Sequence, residues 1–234
     1  MRTYSIVFLD IDGTLLNSQH QAMPCTQKRL KQLQDGGVPV ILCSARPPKG
    51  VNLVAGQVGL QGPVACYNGG LVFDENDTIL RDVGIDIQTA MDFSQFVAER
   101  FPDIVVSSYL YDVWMAEDPQ QPQILQEAKI TGFSPFKGSL SQVASAASHV
   151  HKLLCMGNAM RIRALQKEVS ERFPQLTALR SNAAYLEILP PESTKGSAVQ
   201  VLLDHYGLSA EQAVAFGDND VDMDMLQYCG LGVA

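Results

Sequence analysis

The chain has 234 residues, a net charge of −8, a pI near 4.9 and a mean hydropathy of +0.02. This length and composition predict a globular protein with one large domain or two small ones. It carries no basic run of the kind that binds nucleic acid and no apolar run long enough to cross a bilayer. We therefore expect neither nucleic acid nor a membrane as a partner.

The cysteines favour a reducing compartment. They are odd in number, scattered and outside any CxxC pair. The N-terminal segment resembles no signal peptide, because acidic residues soon interrupt its apolar run. Together these features predict a cytoplasmic protein with mostly buried, structural thiols. The cysteines are Cys25, Cys43, Cys66, Cys155 and Cys229.

The first part of the chain alternates strand and helix patterns. The run "YSIVF" predicts a strand buried on both faces, and "VPVILC" and "GPVACYNGG" contain two more. Between the first two, "PCTQKRLKQLQDGG" has a proline near a helix start and two glycines at its end. Strands separated by helices predict parallel βαβ units and therefore a doubly wound α/β domain.

The middle of the chain has a different pattern. It begins with a predicted hairpin, "LVFDENDTILRDVG", whose polar residues "DEND" form the tip. Two amphipathic helices and several strands follow, among them the helix "QTAMDFSQFVAERFP", in which Ala90, Phe93, Val97 and Phe101 share a face. This mixture predicts an α+β unit inserted into the doubly wound domain.

The last part returns to the first pattern. A helix in "KGSAVQVLLDHYG", a strand in "AVAFGD", a short helix in "DMDMLQYCG" and a final strand in "LGVA" are predicted. We therefore expect a discontinuous core domain over residues 1–83 and 185–234, and an inserted domain over residues 84–184.

Acidic residues follow the first and the last clear strands of the core. Asp10 and Asp12 end the first strand, and residues two apart in extended chain point the same way. Asp218 and Asp222 follow "AVAFG". Ligands of open α/β sheets bind at the carboxyl ends of the strands, so these carboxylates are expected to converge. Converging carboxylates repel one another unless a cation lies between them, and oxygen-only ligands favour Mg²⁺.

Two further polar residues fit phosphate chemistry at the same edge. Ser44 follows the second strand and offers a hydroxyl to a phosphoryl oxygen, while Lys195 precedes a helix and offers a positive charge. Asp10 could then attack phosphorus, and Asp12 could exchange the proton with the leaving oxygen and with water.

Four motifs in this order carry a family resemblance: "DIDGTLL", "CSAR", "TKGSAV" and "FGDNDVDMDML". They resemble the haloacid dehalogenase-like phosphatases, and more narrowly the Cof-type branch with a type IIB α/β cap inserted after the third core strand. The resemblance covers nearly the whole chain. It implies a Mg²⁺-dependent phosphatase that forms an aspartyl phosphate.

The resemblance also assigns roles to residues. It implies Asp10 as the nucleophile, Asp12 as the acid/base, and Mg²⁺ held by Asp10, the backbone carbonyl of Asp12 and Asp218. Asp222 would stabilise the metal site and the lysine without binding the metal directly. The candidate residues for phosphate or substrate binding are Ser44, Ala45, Arg46, Asn68, Lys195 and Asn219.

The chain departs from the family pattern at two motifs. Ser44 and Ala45 stand where the branch usually has Thr-Gly, and Val221 stands where it usually has an asparagine that contacts phosphate, a contact for which Asn219 is the substitute candidate. Two assignments stay open. Arg46 either contacts substrate or forms a scaffold salt bridge, and Asn68 either lines the site or belongs to a plain turn.

The predicted substrate is a small phosphorylated metabolite. Sugar phosphates come first, followed by nucleotide or cofactor phosphates such as flavin mononucleotide or pyridoxal phosphate, as the resemblance implies. A phosphomutase or phosphotransferase, and a non-catalytic small-molecule-binding regulator, remain alternatives on the same fold. A receiver-type phospho-acceptor would not explain the inserted domain. A monomer or weak homodimer is expected.

Overall fold

A computed structural model describes residues 4–234, so residues 1–3 of the predicted first domain lie outside it. The chain divides into two compact units. The first comprises the chain up to Asp82 together with Glu192–Ala234, and the second comprises Val83–Pro191.

The strands of the described residues are, in chain order, β1 (Ile6–Asp10), β2 (Val40–Cys43), β3 (Val64–Cys66), β4 (Leu71–Phe73), β5 (Ile79–Asp82), β6 (Ile85–Asp86), β7 (Val105–Leu110), β8 (Val113–Ala116), β9 (Phe136–Lys137), β10 (His149–Val150), β11 (Lys152–Met156), β12 (Thr177–Asn182), β13 (Tyr185–Leu189), β14 (Ala213–Phe216) and β15 (Leu231–Val233). The α-helices are α1 (Pro24–Asp35), α2 (Pro48–Val58), α3 (Ile87–Arg100), α4 (Pro122–Thr131), α5 (Leu140–Val143), α6 (Ala159–Arg172), α7 (Lys195–Tyr206) and α8 (Met223–Tyr228).

The first unit is built on a sheet of order β15-β14-β1-β2-β3-β4-β5. The strands from β15 to β3 are parallel, and the hairpin β4–β5 is antiparallel, as predicted. On one face Ile6 and Phe8 of β1 pack in one cluster with Leu202 of α7 and Met225 of α8. Helices α1 and α2 contact β2 and β3. The predicted doubly wound α/β fold is confirmed.

The second unit has a six-stranded sheet of order β12-β13-β11-β7-β8-β9 and a small pair, β6 with β10. Its core includes Phe93 and Val97 of α3, Leu165 of α6, and Leu153 and Cys155 of β11. The helical residues lie three to four positions apart and the strand residues two apart, which are the spacings that bury one face of each element. The predicted inserted α+β fold is therefore confirmed.

The predicted end of the inserted domain, at residue 184, falls between β12 and β13. These two strands pair with each other, and β13 also pairs with β11, so the compact unit continues to Pro191. The strand pairing therefore moves this boundary toward the C-terminus.

Cys43, Cys66, Cys155 and Cys229 are buried, whereas Cys25 is exposed. Among residues 4–234, no helix has both the length and the apolar character that a membrane crossing requires.

Candidate active site

Three neighbouring parallel strands bring the predicted residues to one edge of the first unit's sheet. β1 lies between β14 and β2, and Asp10 at the end of β1 is in register with Cys43 at the end of β2. Ser44 directly follows β2, and Asp218 follows β14 by two residues. The carboxyl ends of parallel strands meet at one edge, so these side chains start from adjacent points.

Lys195 lies between two buried aspartates. Its Nζ donates hydrogen bonds to Asp10 Oδ1 and to Asp222 Oδ1, both at 2.5 Å. The side chain of Lys195 is 2% exposed and that of Asp222 is 0% exposed. A buried charge is tolerated only when it is paired, so each member of this triad depends on the others.

Asp222 is fixed on both of its carboxylate oxygens. Oδ1 accepts from Lys195, and Oδ2 accepts from the backbone N–H groups of Asp218 and Asn219, at 3.1 and 3.0 Å. Asp222 therefore anchors both the lysine and the loop that carries Asp218. This arrangement is compatible with the supporting role predicted for it.

Asp218 has a different environment, being exposed and held at one oxygen. Thr14 donates its hydroxyl to Asp218 Oδ1 at 2.7 Å. Gly13 lies so close that a Cβ at that position would collide with the Asp218 carboxylate, and its φ of +102° also favours glycine. Gly13 and Thr14, which follow Asp12, therefore give Asp218 room and a hydrogen bond, respectively.

A group of carboxylates lies at this point. One oxygen from each of Asp10, Asp218 and Asp222 lies within 4.8 Å of the others. All donors are hard oxygens, and the cluster carries more negative than positive charge even with Lys195 included. The residues present therefore fit Mg²⁺, which prefers oxygen ligands and keeps several waters.

Burial and neighbouring charges shift the pKa values of Asp10 and Lys195. Burial raises the pKa of the Asp10 carboxyl above its ordinary value, although the adjacent Lys195 charge pulls this pKa down. Burial lowers the pKa of Lys195, but Asp10 and Asp222 more than offset this, and the net pKa is raised. Lys195 therefore stays charged, and its charge favours the ionised form of Asp10.

Asp12 lies two residues beyond Asp10, the last residue of β1. The carboxylate of Asp12 accepts two hydrogen bonds from Arg46, with Nε to Oδ2 at 2.9 Å and Nη2 to Oδ1 at 2.6 Å. Of the two interpretations of Arg46, the structure contains the salt bridge.

Ser44 is 3% exposed, and its hydroxyl oxygen accepts from the backbone N–H of Arg46 at 3.2 Å. That contact leaves its own O–H to donate elsewhere. Asn68 is 4% exposed, its N–H donates to the Ser44 carbonyl at 2.9 Å, and its side-chain oxygen is buried without a partner. Asn68 therefore lies beside the Ser44 segment, which also contains Ala45.

Asn219 is exposed next to Asp218, while Val221 is partly buried.

Two contacts in this region were not predicted. Thr14 binds Asp218, and Asp224 accepts from the backbone N–H of Gly196 at 2.8 Å, at the start of α7. The threonine of the DGT sequence was the available signal for the first. For the second the sequence offers no signal, because the contact joins separate helices.

Comparisons with known proteins agree with this fold and site. Residues 7–234 match the model of a family described as haloacid dehalogenase-like hydrolase. A Haemophilus influenzae protein named provisionally as a phosphatase is 34% identical over 99% of this chain and 86% of its own length. The HMP-PP phosphatase of Serratia proteamaculans is 28% identical over 98% of this chain and 83% of its own length.

Solved structures agree at the level of the fold. A haloacid dehalogenase-like hydrolase from Bacteroides thetaiotaomicron has a TM-score of 0.88 at 24% identity, covering 99% of this chain and 88% of its own. A sugar phosphatase of haloacid dehalogenase subclass IIB has a TM-score of 0.79 at 18% identity, covering 96% and 85%.

The parallel α/β sheet brings buried aspartates and a lysine together at its carboxyl edge. The chain belongs to the haloacid dehalogenase-like hydrolase family. The predicted family and the predicted enzyme class, a phosphatase of this type, are confirmed.

Proposed function

We propose that this enzyme hydrolyses phosphate monoesters of small metabolites, with sugar phosphates as the first candidates, through a phosphoryl group carried on Asp10. The observation that supports this most directly is the contact of Lys195 Nζ with both Asp10 Oδ1 and Asp222 Oδ1. Because Oδ1 of Asp10 is engaged by the lysine, we assign the attack on phosphorus to Oδ2.

The residues divide the chemistry as follows. Oδ2 of Asp10 forms a bond to phosphorus while the ester oxygen leaves, and Asp12 gives that oxygen a proton. In the second half Asp12 takes a proton from water, whose oxygen attacks phosphorus and releases phosphate and free Asp10. Arg46 orients the ionised Asp12 carboxylate, the form that takes the proton from water in the second half.

Residues at the same carboxyl edge of the sheet bind the phosphate group. Lys195 supplies a fixed positive charge, and the O–H of Ser44 remains able to donate to a phosphoryl oxygen. We assign supporting contacts to the remaining candidates, Ala45, Asn68 and Asn219. The prearranged charges cost no reorganisation when negative charge develops in the transition state.

Asp10, the backbone carbonyl of Asp12 and Asp218 would hold Mg²⁺, with Asp222 behind them. When bound, the ion would neutralise the carboxylates and the negative phosphoryl oxygens. Thr14 donates to Oδ1 of Asp218 and not to Oδ2, and the absence of a side chain on Gly13 leaves room for the carboxylate.

The test is phosphate release from a panel of metabolites, with and without Mg²⁺. The panel contains sugar phosphates, flavin mononucleotide, pyridoxal phosphate and the substrates for which relatives are named, HMP-PP and 5-amino-6-(5-phospho-D-ribitylamino)uracil. Wild type should release phosphate only with Mg²⁺, Asp10→Asn should be inactive, and Asp220→Asn, which changes an exposed acid nearby, should match wild type.

Equal release by wild type and Asp10→Asn would contradict the nucleophile assignment. Activity that needs a bisphosphate activator would instead indicate a phosphomutase. A Mg²⁺-dependent rise in the melting temperature that is lost in Asp218→Asn but kept in Asp220→Asn would test the metal site without turnover.

A further inference from the structure

The turn after β3 adopts an unfavourable backbone. Tyr67, Asn68 and Gly69 have φ of 52°, 53° and 89°, all in the left-handed region. Tyr67 and Asn68 carry side chains, for which this region is disfavoured, and both are buried. Such a turn persists only where its surroundings hold it.

Its contacts join two segments of the candidate site. On one side, the N–H of Tyr67 donates to the carbonyl of Arg46 at 3.2 Å, and that of Asn68 to the carbonyl of Ser44 at 2.9 Å. On the other side, a Cβ on Gly69 would collide with the carbonyl oxygen of Thr194, the residue before Lys195. The turn is therefore packed between the Ser44 segment and the start of α7.

Arg81 of β5 connects this turn to the segment before Lys195. Its Nε donates to the Gly69 carbonyl at 3.0 Å, and its Nη2 donates to the Glu192 carbonyl at 2.8 Å. The same Glu192 carbonyl also accepts from the hydroxyl of Ser197, at 3.0 Å. Hydrogen bonds from a charged donor are stronger than neutral ones, so the guanidinium is the stronger of these two donors to the Glu192 carbonyl.

The position of Arg81 in the chain adds to this role. Arg81 directly precedes Asp82, where the chain leaves the first unit, and Glu192 is where the chain returns to it. One guanidinium therefore ties the departing strand to the returning segment. Lys195 follows Glu192 by three residues in the chain.

We propose that Arg81 is a positioning residue for Lys195, a role that rests on the proposed function of that lysine. Arg81 touches none of the predicted reacting groups. It fixes the Glu192–Thr194 segment against the turn, and this sets where α7 begins and where the ammonium lies relative to Asp10. Without the guanidinium, the segment loses its common anchor and the lysine no longer keeps its close contact.

The first test compares Arg81→Ala and Arg81→Lys with Arg29→Ala, a control on α1 whose exposed guanidinium binds the Gln32 side chain. With the best substrate of the panel, kcat of Arg81→Ala should fall by about 10- to 100-fold with little change in KM, because misplacement of a charged group by about 1 Å has effects of this size. The kcat of Arg81→Lys should lie between those of wild type and Arg81→Ala, because lysine keeps the charge but lacks the planar guanidinium that binds both carbonyls. Free ethylguanidinium should restore part of the activity of Arg81→Ala.

The second test does not depend on turnover. An amine-acylating reagent followed by mass spectrometry measures the reactivity of each lysine. Lys195 should react faster in Arg81→Ala than in wild type, whereas Lys152, a similarly buried lysine of the second unit, should be unchanged. Equal acceleration at both lysines would indicate general loosening and would contradict the proposal.

The outcomes separate this proposal from the proposed function. If wild type is active and Arg81→Ala keeps its kcat, or if only its melting temperature falls, the positioning role is wrong while the function stands. If wild type and Asp10→Asn release phosphate equally, the function is wrong, and the lysine reactivities still decide whether Arg81 holds Lys195 in place.

Discussion

Arg46 holds Asp12 by two hydrogen bonds at once, Nε to Oδ2 at 2.9 Å and Nη2 to Oδ1 at 2.6 Å. Both side chains are partly exposed, 31% and 46%, so the pair contributes little to stability. A planar fork on a carboxylate does, however, fix the direction of that carboxylate. Since Asp12 is the proposed acid/base, this pair should matter for rate rather than for folding.

Replacement of Arg46 tests this relationship. Arg46→Lys keeps the charge but loses the two-point contact. We expect kcat to fall by about 10-fold with an unchanged melting temperature, which is less than the roughly 10²–10⁴-fold that acid/base catalysis supplies, because Asp12 itself is retained. Steady-state kinetics on the best substrate provide the measurement. Arg29→Lys, on the exposed face of α1, is the matched control. An increase in KM at constant kcat would indicate that Arg46 binds substrate instead.

Gly13→Ala should damage the metal site specifically. The new methyl group would meet the Asp218 carboxylate and displace it, so the Mg²⁺ concentration for half-maximal activity should rise and kcat should fall by about 100-fold. Gly37→Ala is the control, because Gly37 also has a positive φ, 79°, but has open space around it. Gly37→Ala should cost about 1 kcal/mol of stability and leave the Mg²⁺ dependence unchanged. Similar Mg²⁺ curves for both variants would show that crowding at Gly13 is unimportant.

Asp222→Asn should destabilise the protein. It removes one of the two carboxylates that bind the buried Lys195, and breaking a buried ion pair costs about 3–5 kcal/mol. Urea unfolding gives the free energy of unfolding, and Asp220→Asn, an exposed acid two residues away, should change it by about 0.5 kcal/mol or less. A loss in Asp222→Asn no larger than in Asp220→Asn would mean that Asp10 alone suffices for Lys195.

Glu127 of the second unit should give a pH-dependent effect. Burial raises the pKa of this carboxyl above its ordinary 4.5, although Tyr185 and Lys152 pull it down; Glu187 adds to the rise. The folded protein therefore binds the proton more tightly than the unfolded chain. This contribution to stability is fully present below pH 4.5 and is lost as the pH rises through the folded-state pKa.

Glu127→Gln removes that dependence. The variant should gain stability relative to wild type as the pH is raised from 4 to 8, with the gain near zero at the acid end. Urea unfolding at each pH provides the measurement, and Glu171→Gln, an exposed acid on α6, should show no such trend. A difference that stays constant across the range would mean that Glu127 titrates alike in both states.

Sequence reasoning found the residues whose position follows from strand order. Asp10, Ser44 and Asp218 follow strands that are neighbours in the sheet, so the carboxyl-edge rule brings them together. Asp12 lies two residues beyond the end of β1, and its bidentate contact with Arg46 was one of two interpretations left open by the sequence. Their roles in catalysis stay predictions.

Some of the contacts that sequence reasoning missed involve the backbone. Arg81 binds two carbonyl oxygens, and Asp224 binds one backbone N–H. A carbonyl or an N–H exists at nearly every residue, so such contacts leave no mark in residue type. Helices α2 and α4 were also not predicted, although each begins at a proline and is followed by a left-handed glycine.

The pairing of Asp10 with Lys195 also sets an order of events during synthesis. Asp10 is made early, and its lysine follows 185 residues later, after the whole second unit has been translated. At about 5–20 residues per second this interval lasts ~10–40 s. Throughout that time Asp10 lacks Lys195, and β1 also lacks its neighbour β14, which is translated later still. The inserted unit is therefore translated in full before the residues of the candidate site can meet.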